Sequence, residues 1–312
     1  MRPATLGVAC AVLGALGFSL KAILVKTGYR YGVDPLTLLA LRMAYALPFF
    51  VVMAAHAARR ESRPILRDDW LALLLLGFFG YYLSSYSDFL GLQYISAGLE
   101  RVLLYTYPSM VVLLSAALQR RWPQPRLVAA LAVCSAGVGL AVWQDVQGVQ
   151  RNLPLGVQLV LLSALSFAIY LMRCGPAIQR LGAARVTAWA TGLACLMVLL
   201  QFALRRPLDS LWSQPWQVQL CGLGMGVFCT VLPIWLNAHA IQRLGASRTA
   251  IVSTVGPVLT LFLAWAVLGE ALGWRMLAGA VLVRAGVRWI AQLPLPGIAR
   301  SVLPPVVQSP RT

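Results

Sequence analysis

Acidic and imidazole side chains are what this chain has least of. Its 312 residues hold nine Asp and Glu against 26 Lys and Arg, and only two His, His56 and His239. Two lone histidines and no H-E-x-x-H argue against a zinc hydrolase, and no G-x-S-x-G supplies a nucleophile elbow. No G-x-x-x-x-G-K-[ST] run exists, so ATP is not the direct energy source. Six cysteines (Cys10, Cys134, Cys174, Cys195, Cys221, Cys229) are scattered without a C-x-x-C pair. They read as packing residues, not metal ligands or disulfides. Long polar stretches are missing too, so no soluble domain carries a separate activity. No catalytic residue, metal or cofactor is expected.

What is present is apolar. Hydrophobic residues make up 60% of the chain, charged residues 11%, and mean hydropathy is +0.76. A soluble domain has roughly 25% charged residues. The chain therefore reads as an all-α integral membrane protein. A hydrocarbon core of about 30 Å needs about 20 helical residues. Ten stretches qualify, near 5–27, 36–56, 70–90, 97–118, 126–143, 154–174, 186–204, 216–237, 248–268 and 273–291, numbered helices 1 to 10. Arg2 precedes a long apolar span with no A-x-A-like site soon after it, so helix 1 is expected to be retained.

The formal charge of +17 would suggest nucleic acid in a soluble chain. Its distribution gives another cause. With the N-terminus in the cytoplasm, the inner segments hold 16 Lys and Arg and the outer segments seven, with Lys21, Arg42 and Arg284 inside spans. The positive-inside rule then predicts both termini cytoplasmic in a plasma, bacterial inner, membrane. No nucleic-acid partner is expected. The Pro-rich tail 294–312 is expected to be a flexible cytoplasmic extension.

The sequence repeats. Shifted by 149 residues, Leu6-Gly7-Val8 falls on Leu155-Gly156-Val157, Gln93 on Gln242, Pro108 on Pro257, and Ala136-Gly137-Val138 on Ala285-Gly286-Val287. The offset holds from near the start to near the end. It predicts two five-helix units, residues 1–145 and 150–293. An odd number of spans makes the second unit enter from the opposite side, so the repeats are inverted, a recurring design of secondary transporters.

Polar groups inside the spans fall on single helix faces. Helix 9 offers Thr249, Ser253, Gly256 and Thr260; helix 6 offers Ser163, Ser166, Tyr170 and Arg173; helix 8 offers Gly226, Thr230, Pro233 and Asn237. The first unit offers Gly14, Gly17 and Lys21 on helix 1, Gly77, Tyr81, Ser84 and Asp88 on helix 3, and Glu100, Leu104, Tyr107 and Val111 on helix 4. Small and hydroxyl residues can serve as seams between helices. Large groups such as Tyr81, Tyr107, Tyr170 and Lys21 suit a cavity wall better. Pro108 and Pro257 fall mid-helix and free the carbonyls of Leu104 and Ser253, which makes a structural kink or a hinge. Lys21, Arg42, Asp88, Glu100 and Arg101 all belong to the first unit. Charges in the bilayer are rare and are paired or water-facing. They read as an anion-binding or proton-coupled site, or as structural ion pairs. Arg42 and Glu100-Arg101 are expected close to the surface.

At these residues a family resemblance emerges. The segment Gly17 to Arg42 with Lys26 and Asp34-Pro35, the stretch Leu92-Gln93-Tyr94-Ile95-Ser96-Ala97-Gly98, Tyr107-Pro108, and Pro257 with Leu268-Gly269-Glu270 resemble the EamA branch of the drug/metabolite transporter superfamily. Arg120-Arg121 stands where the first unit's Gly-Glu would fall, a departure from that pattern. The resemblance implies a central cavity lined by helices 1, 3, 4, 6, 8 and 9, and cargo ranging over amino acids, metabolites, drugs and sugar-linked compounds. The expected function is secondary-active export of a small metabolite or amino acid by alternating access. A lipid-linked sugar flippase and a non-transporting membrane protein are the other readings. Expected partners are a small-molecule substrate, the lipid bilayer and a coupling ion, with a proton as the candidate, in a monomer or homodimer.

Overall fold

The computed structural model describes residues 3–60, 65–118, 125–146, 152–244, 249 and 255–292. Among them every regular element is helical. The main helices are α1 (Pro3–Arg30), α2 (Pro35–Arg60), α3 (Arg67–Gly91), α4 (Ala97–Leu118), α5 (Pro125–Val146), α6 (Leu153–Leu181), α7 (Ala183–Arg205), α8 (Trp216–Asn237, continuing to Leu244), α9 (Gly256–Leu268) and α10 (Trp274–Gln292), with a short helix Asp209–Trp212 between α7 and α8. Eight of them, α1 to α8, are long and apolar enough to cross a bilayer, and α9 is a shorter apolar helix. The sequence leads one to expect ten spans. The start of helix 9 and the tail 294–312 lie outside the described residues. Helix α10 carries Arg275, Arg284 and Arg288 in its 19 residues, which dilutes its apolar character.

Helix ends follow local chemistry. The apolar pattern stops at 174, yet α6 runs on to Leu181 and ends only at Gly182, whose φ is 80°. A non-glycine residue pays for that left-handed backbone. The polar extension is held by Arg180 Nη2, which donates to Asp69 Oδ2 at the start of α3 at 3.0 Å.

The halves pack as one object seen twice. α5 lies along α10 and α2 along α7; α1 packs on α8 and α9 just as α6 packs on α3 and α4. The α5–α10 seam shows the symmetry at atomic scale. A Cβ on Gly137 would lie 2.7 Å from the Gly279 carbonyl oxygen, and one on Gly286 would lie 2.8 Å from that of Ala130. The offset relates Gly137 to Gly286 and Ala130 to Gly279, so these are one contact repeated. Between them Cys134 Sγ sits 3.6 Å from the Val283 carbonyl oxygen, and these two are also repeat mates. Lipid tails are as apolar as leucine, so such helices cohere by close backbone approach more than by burial of apolar surface.

Two irregularities recur with the same offset. A π-helical turn spans Phe78–Leu83 in α3 and another spans Val227–Val231 in α8. The second part of α4 starts at Tyr107, after Tyr105 and Thr106 break the helix, and α9 starts at the equivalent Gly256. Pro108 and Pro257 fall in the first turn after these points. Proline has no amide to give the carbonyl four residues back, so α4 is interrupted there, not merely bent.

The helix senses are opposed. α1 ends where Arg30 Nη2 donates to the Leu268 carbonyl at 2.6 Å. α6 begins at that same end, with Gly156 against Tyr94 and Ile95. The outer surface of the bundle is apolar, with Val52, Leu74, Leu200, Phe262 and Val281 exposed. Trp143, Trp212, Trp216 and Trp274 are exposed near the end where α1 finishes, in the manner of an interfacial aromatic belt.

Candidate functional site

Charge is gathered inside this apolar shell. Lys21 of α1 donates from Nζ to Asp88 Oδ2 of α3 at 2.5 Å and to Glu100 Oε1 of α4 at 2.9 Å. The three side chains are 15%, 3% and 0% exposed. Each element supplies its group for a local reason. Lys21 follows Gly17, whose missing Cβ lets α1 approach the Phe228 carbonyl of α8. Asp88 lies in the turn that ends α3, and Leu92 N–H closes that turn on the Asp88 carbonyl. Glu100 lies in the first turn of α4, where a negative side chain suits the helix dipole.

Glu100 is fully buried. The reason is what covers the start of α4. Glu270, in the α9–α10 connection, accepts the amides of Ala97 at 2.8 Å and Gly98 at 3.2 Å. Asp145 at the end of α5 accepts Ser96 N–H at 2.9 Å and Ser96 Oγ–H at 2.6 Å. Two carboxylates thus take amides that the helix itself leaves free. Gly269 turns the chain into position with φ 71°. Burial pushes the Glu270 carboxyl above its ordinary range, opposed by the two amides and by nearby Lys26. The Gly269-Glu270 pair was visible in the sequence, but nothing in its spacing named α4 as its target.

Two further cations near the cluster, Arg101 and Arg42, make their hydrogen bonds elsewhere. Arg101 donates from Nε to Thr260 Oγ1 at 3.0 Å and from Nη2 to the Phe18 carbonyl at 2.6 Å, reaching across to α9 and α1. Arg42 donates from Nε to Thr230 Oγ1 at 3.0 Å, with its guanidinium 5.6 Å from the centre of the Phe89 ring. It too is drawn inward, because Thr230 and Phe89 offer it an acceptor and a π face.

A second, aromatic group adjoins α6. Tyr170 stacks on Phe167 and meets Tyr81 edge-on, while Tyr107 stands edge-on to Phe167, all with ring centres 5.3 to 5.5 Å apart. The Tyr81 and Tyr170 hydroxyls are 3.4 Å apart, and the Ser84 and Ser163 hydroxyls 3.1 Å. Ser166 donates to the Phe79 carbonyl at 2.6 Å, and Thr230 to the Met225 carbonyl at 2.8 Å. Each of these two hydroxyls serves a carbonyl in or beside a π-helical turn. Asn237 keeps a buried Oδ1 without a protein partner. Pro108 and Pro257 are both buried. Ser253 lies outside the described residues. The periodicity missed Phe167 and Phe89, because an apolar ring on a polar face breaks no pattern.

An apolar-skinned bundle of two related halves with its charges on the inside belongs to the class of membrane transport proteins. The chain belongs to the EamA-like transporter family, which it matches over residues 5–143 and again over 154–292. It is 29% identical over 285 residues, 89% of this chain and 90% of the relative, to the uncharacterized transporter YcbK of Bacillus subtilis (strain 168). It is 24% identical to the uncharacterized transporter sll1319 of Synechocystis sp., covering 79% of this chain and 76% of that one. A crystal structure of an 18% identical protein superposes with a TM-score of 0.57 over 91% of this chain and 95% of its own, which shows the fold alone.

Proposed function

We propose that this protein is a secondary-active exporter of a small metabolite or amino acid, working by alternating access through the middle of the bundle. In this reading it has ten spans, sits in the plasma membrane and keeps both termini in the cytoplasm. The observation that carries the reading is the Lys21–Asp88–Glu100 cluster with the aromatic group on α6 nearby. One cation and two carboxylates complement the two charges of a zwitterion, and the rings offer an apolar wall. The end bearing the α1–α2, α3–α4, α7–α8 and α9–α10 connections is laced shut. Arg30 reaches Leu268, Arg206 pairs with Asp34 at 3.3 Å, and Glu270 holds the start of α4. By the positive-inside count this is the outer end, so the conformation is closed to the outside. Rocking of the halves about the broken α4 and its repeat mate α9 would reopen it.

The test is counterflow in liposomes carrying the full chain, with individual radiolabelled amino acids as cargo. A cargo that exchanges should also raise the melting temperature of the purified protein, since ligands stabilise the state they bind. No exchange and no thermal shift with any amino acid would sink the amino-acid reading. Reporter fusions at Arg63 and Asp209 should fall on opposite sides; the same side for both would sink the topology.

One feature favours a flippase. A groove of about 430 Å³ opens sideways between α3 and α7, lined by Phe78, Tyr82, Met197, Leu200, Gln201 and Arg205 among others. A fluorescent lipid-linked sugar analogue that crosses only in protein-bearing liposomes would support that reading instead.

A further inference from the structure

We propose that the groove between α3 and α7 binds one anionic phospholipid of the leaflet at the α7–α8 end, its phosphate on Arg205 and an acyl chain along the rings of α3. The proposal depends on the chain lying in a membrane and not on what it transports. The groove, about 430 Å³, opens sideways and carries polar groups in an otherwise apolar lining. One wall is flat. Phe78 and Tyr82 line it and Tyr86 continues their stack, with ring centres 5.4 and 6.4 Å apart and planes within 29° and 13° of parallel. The facing wall is Met197, Leu200 and Leu204 of α7, and both leucines are exposed on the apolar skin of the bundle. An extended hydrocarbon chain can lie along such a wall.

The polar groups stand where a phospholipid's own polar groups would meet them. α7 has 23 residues, a length of about 34 Å, so its last residue, Arg205, reaches headgroup level. Among the described residues no ion pair or hydrogen bond holds the Arg205 side chain, and Asp209 on the short helix makes no ion pair with it. Arg206 beside it is paired with Asp34 at 3.3 Å. A cation at that level attracts an anionic headgroup. Gln201 lies one helical turn deeper, about 6 Å, at the depth of the glycerol esters. Its Oε1 is buried without a partner, and its amide nitrogen makes no hydrogen bond among the described residues. An ester carbonyl is an acceptor for that nitrogen. From Arg205 to Met197 the groove descends about 12 Å, within the roughly 15 Å of hydrocarbon in one leaflet. That depth matches a lipid resident in one leaflet.

The repeat shows that packing does not call for these groups. The mates of Phe78, Tyr82, Gln201 and Arg205 are Val227, Val231, Val52 and His56. At the equivalent place between α8 and α2 the ring stack and the amide are replaced by valines, and Val52 is exposed on the apolar skin. Valine serves a lipid-facing position at no polar cost, whereas an unsatisfied amide there is costly. The halves therefore hold one such lipid site between them, on the α3–α7 side.

Native mass spectrometry of the purified full chain counts the bound lipid, with phosphatidylglycerol and phosphatidylcholine of the same acyl chains as probes. The wild type should retain one phosphatidylglycerol, roughly fivefold more tightly than phosphatidylcholine, the preference that one arginine at headgroup level gives an anionic lipid. Arg205→Gln should abolish the preference. Gln201→Val, which copies the mate, should weaken both lipids alike, because both carry glycerol esters. Leu200→Trp fills the groove, leaves every charge in place and should weaken both lipids. Arg205 and Leu200 are exposed, so these variants should fold. Arg275→Gln removes an arginine of the same end that sits between the Trp143 and Trp274 rings, outside the groove, and should leave the preference intact. A wild type without the preference, an Arg205→Gln variant that keeps it, or an equal loss in Arg275→Gln would overturn the proposal. Displacement of the lipid by excess inorganic phosphate would also overturn it, in favour of a free-anion site. A Leu200→Trp variant that changes oligomeric mass while lipid binding persists would assign the groove to a second copy of the chain instead.

Discussion

The first half and the second half of this protein share a frame and differ in chemistry. Both carry a π-helical turn at the same repeat position, in α3 and α8, and both start a helix at the equivalents Tyr107 and Gly256. Both press a glycine into the α5–α10 seam. Yet Lys21, Arg42, Asp88, Glu100 and Arg101 face Tyr170, Thr191, Asn237, Thr249 and Ala250 at the same positions of the second half. Backbone geometry must match for two halves to pack on each other. A buried ion cluster need be built only once. The difference teaches that symmetry here governs packing, while the buried ion cluster stands outside it.

The sharpest way to break the comparison is to alter mates on the two sides. Lys21→Met removes the cation that Asp88 and Glu100 share and should cost about 3–5 kcal/mol near neutral pH. Tyr170→Phe, its mate, removes one hydroxyl that meets Tyr81 and should cost about 1 kcal/mol or less. Thermal unfolding in detergent checks both, and equal losses would refute the asymmetry. The frame should behave the other way. Gly137→Val and Gly286→Val each force a side chain into backbone and should each cost about 1–3 kcal/mol, alike in the two halves. A large loss from one with none from the other would show that the seam is not symmetric.

Glu270 gives a smaller, one-sided effect. Glu270→Ala frees two amides at the start of α4 and should cost about 0.5–2 kcal/mol. Burial raises the Glu270 carboxyl above 4.5, so the folded state binds its proton more readily than the unfolded state does. The burial cost is therefore present at neutral pH and relieved as pH falls through the raised value. Melting curves of wild type and Glu270→Gln should accordingly converge or cross in favour of the wild type on going from neutral pH toward 4.5. A wild type that loses ground over that range would reverse the sign.

The smallest stability effect is expected from Pro108→Ala with Pro257→Ala. The chain should still fold and insert, because alanine only restores an amide. Turnover should fall several-fold, since an uninterrupted α4 resists the rocking that alternating access needs. Normal turnover with unchanged cysteine accessibility from both sides would leave these prolines as structural breaks.

Much of this was legible in one dimension. Apolar runs announce membrane helices because every backbone group must be satisfied within the span. The 149-residue offset announces the halves, and helical periodicity gathers Lys21, Asp88 and Glu100 onto faces that do meet. Other features were not legible. Periodicity gives an azimuth on a helix but not how deeply a neighbour covers it, so the complete burial of Glu100 could not be read from it. Nothing in a 3.6-residue pattern announces a π-helical turn, and nothing local says that Glu270 will cap a helix 173 residues earlier.

The sequence by itself determined the class, the repeat and which side chains could be polar inside the membrane, because composition and period are properties of the chain alone. Only the tertiary structure decided which carboxylates share Lys21, which arginines are spent elsewhere and which oxygens are left over. Those outcomes depend on distances of a few ångströms between helices far apart in sequence, and in a low-dielectric interior such distances set where charge can stay.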